Sequence, residues 1–312
     1  MSGKIMVLTM LGLALAGRVA GQESKTVGMS NVERVLTVPE VYRSPSSRSP
    51  EIMDVVSQTN LLADLCENWR AGKTPDDRSA VLRFAVDLGA YNVGTKRRTS
   101  YSDERVAKAL VAALDDESLD VRETAASLLE QRFRIETIRA LGPQIVEVVR
   151  KRKLIDAILL LGLTGVAEAA SLLQEDKAFR RASGRYTELA LARLGNEEYQ
   201  TNFIGQFRTA KSFREKFTLA SDLAYIGNDA ACKALAEELR NPEIARVDSG
   251  MAYALRRNNI IDALRKALPD EPVLEPPDYP GRRDASYYAA IEAWAEKKYS
   301  ITWTNARPAF RY

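Results

Sequence analysis

Apolar residues recur at helical spacing along most of the chain, and residues 104–131 show this most clearly. A first set occupies one face of a helix: Val106, Ala109, Leu110, Ala113 and Leu114. After an acidic turn a second set follows: Val121, Ala125, Leu128 and Leu129. Two short amphipathic helices joined in this way form a helical hairpin, and their apolar faces exceed what one pair can cover. We therefore predict that this hairpin packs against others.

The same periodicity continues on both sides of the hairpin, and no segment after residue 51 alternates as a strand would. Residues 51–69 and 75–88 are predicted as two helices, with Pro75 at the first helical position and Gly89 as a stop. Near the other end, Asp284 is predicted to cap a final helix. The pattern predicts an all-α protein.

An internal repeat runs through the middle of the chain. Gly162, Gly195 and Gly227 are spaced by 33 and 32 residues, and each is predicted to end a helix. Asn196 and Asn228 follow two of these glycines as predicted N-caps, with acidic residues behind them. A period of about 32 residues with two helices per unit is typical of an α-solenoid.

Two short motifs in the central hairpin carry a family resemblance. Residues 109–116 read Ala-Leu-x-x-Ala-Leu-Asp-Asp and residues 120–125 read Asp-Val-Arg-x-x-Ala, which resembles the HEAT-repeat family. The resemblance implies a right-handed α-solenoid of about six hairpins over residues 51–300. It also implies that Asp116 or Asp120, together with Arg122, hydrogen-bonds between successive units.

Residues 1–21 have the pattern of a secretory signal peptide. Lys4 precedes an apolar run over residues 5–16, and residues 19–21 (Val-Ala-Gly) form a cleavage site, with residues 14–16 (Ala-Leu-Ala) as a competing one. The run is too short to span a bilayer, which takes about 20 residues. We expect a bacterial protein that is exported to the periplasm or secreted.

The segments on either side of the predicted solenoid are not predicted to form helical hairpins. Residues 22–50 are predicted to be a flexible tether because their serine- and proline-rich end lacks apolar content. The alternative is that Val32, Val35 and neighbouring apolar residues dock in extended form against a helical groove. Residues 301–312 form an aromatic-basic tail, interpreted either as a cap on the stack or as a contact surface.

Composition narrows the chemistry that the chain can perform. Histidine is absent, which excludes catalytic sites and metal sites that depend on imidazole. The two cysteines, Cys66 and Cys232, are predicted to be buried thiols, because about five hairpins of a linear stack would separate them and a disulfide needs Cα atoms within about 7 Å. Paired acids such as Asp115–Asp116 and Glu237–Glu238 are interpreted as solvated caps and turn residues. We therefore predict no catalytic residue, cofactor or metal.

Basic clusters at predicted hairpin ends are the candidate partner-binding surface. The net charge of the chain is +3, and it falls to +1 when the leader with Lys4 and Arg18 is removed. A net charge this close to zero gives no overall attraction to nucleic acid. Solvated turns are the alternative interpretation of the clusters. The residues selected for binding are Arg150, Lys151, Arg152, Lys153, Arg256, Arg257, Trp303, Arg307 and Phe310.

These features together predict an exported, non-catalytic protein-binding scaffold. The expected partner is a protein, with acidic character favoured by the basic clusters, and an anionic glycan is a second candidate. The HEAT resemblance also implies an alternative, a nucleic-acid-binding or DNA glycosylase-like protein, and behind it a tetrapyrrole lyase built on similar repeats. The near-neutral mature charge and the leader argue against nucleic acid.

Overall fold

The chain is all-helical in the computed structural model, which describes residues 29–38, 60–92, 103–182, 184–241, 250–276 and 284–303. Those ranges contain sixteen α-helices and no strand, so the predicted all-α class is confirmed. The chain divides after Thr137 into two compact units. The predicted leader lies outside the described residues.

The first unit contains five α-helices, and a sixth crosses the division. They are α1 (Asn31–Thr37), α2 (Leu61–Asn68), α3 (Pro75–Asn92), α4 (Glu104–Ala113), α5 (Leu119–Arg132) and α6 (Ile135–Ala140). A 3₁₀ turn over Trp69–Ala71 follows α2.

The central hairpin forms as predicted, from α4 and α5. Asp103 caps α4, because its Oδ1 atom accepts a hydrogen bond from the Arg105 N–H at 2.9 Å. Leu110 and Val121 are completely buried. α4 packs on α2, α3 and α5, and α5 also packs on α3, so neighbouring helices cover both apolar faces. Helix α3 begins at Pro75 as predicted, but it continues through Gly89 to Asn92.

Residues 31–37 form a packed helix, where the sequence favoured a tether or an extended segment. Ser30 Oγ accepts from the Glu33 N–H at 3.2 Å, and Glu33 accepts from the Ser30 N–H at 2.9 Å. This reciprocal capping box starts the helix. Val32 and Val35 are buried where α1 contacts α2 and α3. The expectation for these residues was wrong because local capping favoured a helix.

The turn between α4 and α5 is built on buried polar contacts. Arg78 Nη2 lies 2.9 Å from Asp116 Oδ1, and both residues are buried. Asp116 is therefore not a solvated turn residue; it bonds across successive helical pairs, as the family resemblance implied for Asp116 or Asp120. Arg122 Nη1 donates to the carbonyl oxygens of Asp116 and Glu117 at 2.8 and 2.9 Å. The contact between units that the resemblance also implied for Arg122 was wrong, because Arg122 closes its own turn.

The second unit contains ten further α-helices and three 3₁₀ turns. The helices are α7 (Gly142–Arg152), α8 (Ile158–Thr164), α9 (Ala167–Glu175), α10 (Lys177–Ala182), α11 (Gly184–Arg193), α12 (Glu197–Thr209), α13 (Phe213–Ile226), α14 (Asp229–Glu237), α15 (Gly250–Ala267) and α16 (Ala285–Tyr299). The 3₁₀ turns are Ile155–Ala157, Glu238–Arg240 and Pro272–Leu274.

Helices of this unit that are not adjacent in sequence contact one another in two series, in which all but the first contact skip one helix. α8 packs on α11, α11 on α13, and α13 on α15, while α12 packs on α14 and α14 on α16. Consecutive helices also pair, as in α11 with α12 and α13 with α14. One apolar cluster runs from Leu189 on α11 to Tyr299 at the end of α16.

The predicted helix stops are correct at two of the three glycines. Gly195 and Gly227 adopt positive φ angles of 104° and 59° just after α11 and α13. Asn196 and Asn228 then cap the next helices, accepting from Tyr199 N–H at 3.2 Å and Ala231 N–H at 2.8 Å. Gly162 instead lies inside α8, and Gly165, with a φ of 68°, is the residue that ends that helix.

Gly162 is required by a close helix contact. A Cβ atom there would overlap the Tyr225 hydroxyl and would lie 2.9 Å from the Ala190 Cα atom. The Tyr225 hydroxyl donates to the Leu159 carbonyl oxygen at 2.5 Å. Arg193 Nη1 in turn donates to the carbonyl oxygens of Tyr225 and Ile226 at 2.8 and 2.7 Å. These bonds join α8, α11 and α13.

We predict that Gly162→Ala destabilises the protein by about 1–3 kcal/mol, the usual cost of overpacking, because the added methyl has no room between α8 and α11. Urea denaturation measures the change. Gly205→Ala is the matched control, since Gly205 lies inside α12 with open space around its Cα; it should stabilise by about 0.5–1 kcal/mol. Stabilisation by both variants would contradict the close contact.

Both cysteines are free, Cys232 buried and Cys66 half-buried. Burial raises the pKa of each thiol from 9.0 to about 11, which lowers the thiolate fraction at neutral pH by about a hundredfold. We predict slow reaction of both thiols with an aromatic disulfide reagent in the native protein, slower for Cys232, and complete reaction in denaturant. The single variants Cys66→Ser and Cys232→Ser assign the two rates.

The raised pKa of the two thiols makes the free energy of unfolding depend on pH. The folded protein keeps two thiol protons that the unfolded chain releases above pH 9.0, so the thiols' contribution to the free energy of unfolding should fall between pH 9.0 and about 11. The double serine variant should lose less stability over that interval. Equal losses in both proteins, or a disulfide in the native protein, would contradict this assignment.

Candidate interaction surface

An exposed aromatic pair lies at the start of α13. Ser212 caps this helix by accepting the Glu215 N–H at 3.2 Å, which fixes where the first turn begins. The apolar residues further along α13 are buried, but Phe213 and Phe217 remain 42% and 45% exposed. Their ring centroids lie 6.4 Å apart with an interplanar angle of 31°.

A pocket of about 120 Å³ lies beside these rings, and we call it the α13 pocket. Residues 210–213 and the side chains of Lys216 and Phe217 form one wall. Glu238 and Asn241, which follow α14, and residues 259–260 of α15 form the other wall. Three consecutive parts of the second unit therefore meet at one concave site.

An ion pair between the half-buried Lys216 and the buried Glu238 lines the α13 pocket. Lys216 Nζ lies 2.5 Å from Glu238 Oε1, and Asn241 Nδ2 donates to the same oxygen at 2.5 Å. The Lys216 ammonium also lies 5.4 Å from the centroid of the Phe207 ring. Glu238 was expected to be a solvated cap residue, but it is buried because Lys216 neutralises it.

An exposed cation, Lys211, lines the α13 pocket. Lys211 and Arg214 are both exposed, and the exposed Glu215 carboxylate accepts the Lys211 backbone N–H at 3.3 Å. Arg208, near the end of α12, forms an ion pair with Glu237 at 2.8 Å. Three charged residues line the pocket, and because Lys216 and Glu238 pair with each other, Lys211 leaves the lining with a net charge of +1.

The densest predicted cluster lies elsewhere, at the C-terminal end of α7. Arg150, Lys151, Arg152 and Lys153 are all exposed there, and none of them lines the α13 pocket. Lys153 adopts a left-handed conformation with φ of 51° as the helix ends. Cations in a last helical turn interact favourably with the helix dipole, which gives this cluster a structural role.

Arg257 was predicted to lie on the binding surface, and this was wrong, because its side chain is completely buried. Arg257 Nη2 forms an ion pair with Glu292 Oε1 on α16. Arg240 binds the other oxygen of that carboxylate, Oε2, through Nη2 at 2.6 Å and Nε at 2.8 Å. One carboxylate therefore holds two guanidinium groups. The neighbouring Arg256 side chain lies outside the described residues.

Trp303 belongs to the same polar network and is half-buried. The Arg240 guanidinium carbon lies 4.8 Å from the centroid of the Trp303 ring. This cation–π contact fixes the start of the predicted C-terminal tail against the second unit. Arg307 and Phe310 lie outside the described residues, so the two interpretations of the tail stay predictions.

Sequence reasoning missed the α13 pocket because its residues resemble core residues. Phe213 and Phe217 are spaced by one helical turn and continue the apolar stripe that is buried further along α13. Neither ring is therefore among the residues that the sequence selected for binding. The residues 238–241 and 259–260 that complete the pocket are distant in sequence and carry no shared motif.

Metal sites and membrane-spanning helices are absent from the described ranges. No group of three potential ligands among Cys, Asp and Glu could hold a metal ion there. None of the helices in those ranges has both the length and the apolar character that crossing a membrane requires. No protein-family model, curated protein or solved structure matches the chain. A functional assignment therefore depends on the residues of the surface itself.

We predict that Glu292→Gln lowers the free energy of unfolding by about 3–5 kcal/mol, because it leaves the buried Arg257 guanidinium without its counter-charge and removes the nearer carboxylate from Arg240. Thermal and urea denaturation measure this loss. Glu296→Gln is the matched control: Glu296 is on the same helix, 44% exposed and 3.8 Å from Arg240, and should change stability by less than about 1 kcal/mol. Equal effects would contradict the network.

Proposed function

We propose that the chain is an exported, non-catalytic protein-binding scaffold built as a right-handed HEAT-like α-solenoid. The observation that carries the proposal is the exposed pair Phe213 and Phe217 beside the α13 pocket. The leader pattern over residues 1–21 supports export. The helix contacts support the solenoid, and the exposed aromatic and basic residues support binding to a protein.

The contacts between helices that are not adjacent in sequence support the solenoid. In a stack of hairpins each unit buries its apolar face against the units before and after it. The successive contacts of α8, α11, α13 and α15 are of this kind, and Gly195–Asn196 and Gly227–Asn228 repeat the same helix junction. Stacks of this type present extended surfaces, which suits a scaffold more than a closed active site.

The aromatic pair supports binding to a protein. Two neighbouring phenylalanines that are nearly half exposed leave apolar area in water, and aromatic residues are enriched in protein interfaces. Lys211 and Arg214 beside them favour a partner with acidic groups. The α7 cluster, residues 150–153, would extend such a surface if the partner is long.

Site-specific photo-crosslinking tests this proposal. A photoreactive benzoyl-phenylalanine is placed at position 217, and cells are irradiated before the exported fraction is separated. We expect one discrete, protease-sensitive adduct, because the side chain at this position would lie in the interface. Phe213→Ser in the same protein should weaken binding by about 2 kcal/mol, the value typical of a residue that dominates an interface, and so reduce the adduct.

Position 186 provides the matched control. Tyr186 on α11 is 54% exposed and does not line the α13 pocket, so the same photoreactive group there reports crosslinking at an exposed site outside the pocket. Equal adducts at both positions, or no adduct at position 217, would reject the surface. An adduct that a glycosidase removes would identify a glycan in place of a protein. Recovery of an uncleaved N-terminus in the cytoplasm would reject export.

A further inference from the structure

We infer that the α13 pocket receives an aromatic side chain of the partner protein whose neighbouring group is a carboxylate. The inference rests on the proposed function and adds the chemistry of the recognised segment to it. Three properties of the pocket support this inference: its volume, the aromatic rings that line it, and the net charge of its lining.

The volume of the α13 pocket matches one side chain. A cavity of about 150 Å³ in another protein accommodates benzene, so about 120 Å³ is enough for part of a ring or for a leucine-sized group. Small-molecule and cofactor sites commonly have volumes of about 300–1,000 Å³. The size therefore favours an anchor residue on a larger partner over a cofactor.

The wall of the α13 pocket favours an aromatic anchor. Phe213 and Phe217 present two rings with centroids 6.4 Å apart, within the range over which aromatic rings attract each other. Ile260, which is 4% exposed, adds an apolar contact from α15. A third ring entering here can pack edge-on or offset against both phenylalanines, which a polar side chain cannot do.

The charges around the α13 pocket favour a carboxylate beside that anchor. Glu238 lines the pocket, but Lys216 and Asn241 already bind it, so this ion pair adds no net charge. Lys211 is the remaining charged residue of the lining, so the net charge of the lining is +1. The first turn of α13 adds the partial positive charge of a helix N-terminus. An ammonium group would be repelled by the same field.

The test uses three small probes with the mature full-length protein: 3-phenylpropionate, 3-phenylpropylamine and butyrate. Ligand-observed saturation-transfer NMR measures their dissociation constants. We expect the aromatic acid to bind more tightly than the aromatic amine by about two- to fivefold, the factor that exposed charge pairs provide. Butyrate should show no saturable binding, because it carries the carboxylate without the ring.

Variants assign the binding to the α13 pocket. Phe217→Ser should abolish saturable binding of 3-phenylpropionate, and Tyr186→Ser should leave it unchanged. Lys211→Glu should remove or reverse the preference for the acid, since it turns the local net charge from +1 to −1. Circular dichroism and thermal denaturation confirm that each variant folds, as substitution of exposed side chains should allow.

Some outcomes would overturn the inference while leaving the proposed function intact. An amine that binds as tightly as the acid would reject the carboxylate, and aromatic binding that survives Phe217→Ser would place the probe elsewhere. Neither result depends on the crosslinked partner. Conversely, the probes can behave as expected while no adduct forms at position 217. The α13 pocket then binds an aromatic acid, but the proposed protein-binding surface is rejected.

Discussion

The constraint on which this fold depends is the burial of apolar helix faces that no single pair of helices can cover. Helices such as α9 and α14 have nine residues each, and isolated helices of this length are marginal in water. Their stability must come from packing, and burying a side chain such as Leu110 contributes about 1.5–3 kcal/mol. Each helix therefore depends on its neighbours, which explains why helices that are not adjacent in sequence contact one another along the second unit.

Close packing of many short helices brings their polar ends into the interior, where each polar group needs a partner. Arginine meets this need repeatedly because its planar guanidinium donates several hydrogen bonds at once. Arg193 donates to the last carbonyl oxygens of α13, Arg78 binds the Asp116 carboxylate, and Glu292 holds two guanidinium groups. Some of the basic residues in this sequence are therefore paired inside the fold and do not contribute to its surface charge.

Local chemistry in the sequence was enough to predict the helical class, the central hairpin and the Gly–Asn junctions, because periodicity, caps and glycine stops act over a few residues. It was not enough for Gly162, whose role depends on Tyr225, sixty-three positions later in the chain. It also failed for Arg257, which is buried because Glu292 lies against it. A sequence pattern cannot distinguish an arginine paired in the interior from one in solvent, since both occupy polar positions.

The α13 pocket follows from the same constraint. The apolar stripe of α13 is longer than the surface that neighbouring helices cover, so its C-terminal part is buried while Phe213 and Phe217 remain exposed. Ser212 caps the helix through its own side chain, so the start of α13 does not need an exposed ring. Apolar area that stays exposed to this extent is an argument for an intermolecular contact. The proposed binding surface is thus the part of the helical pattern that packing leaves uncovered.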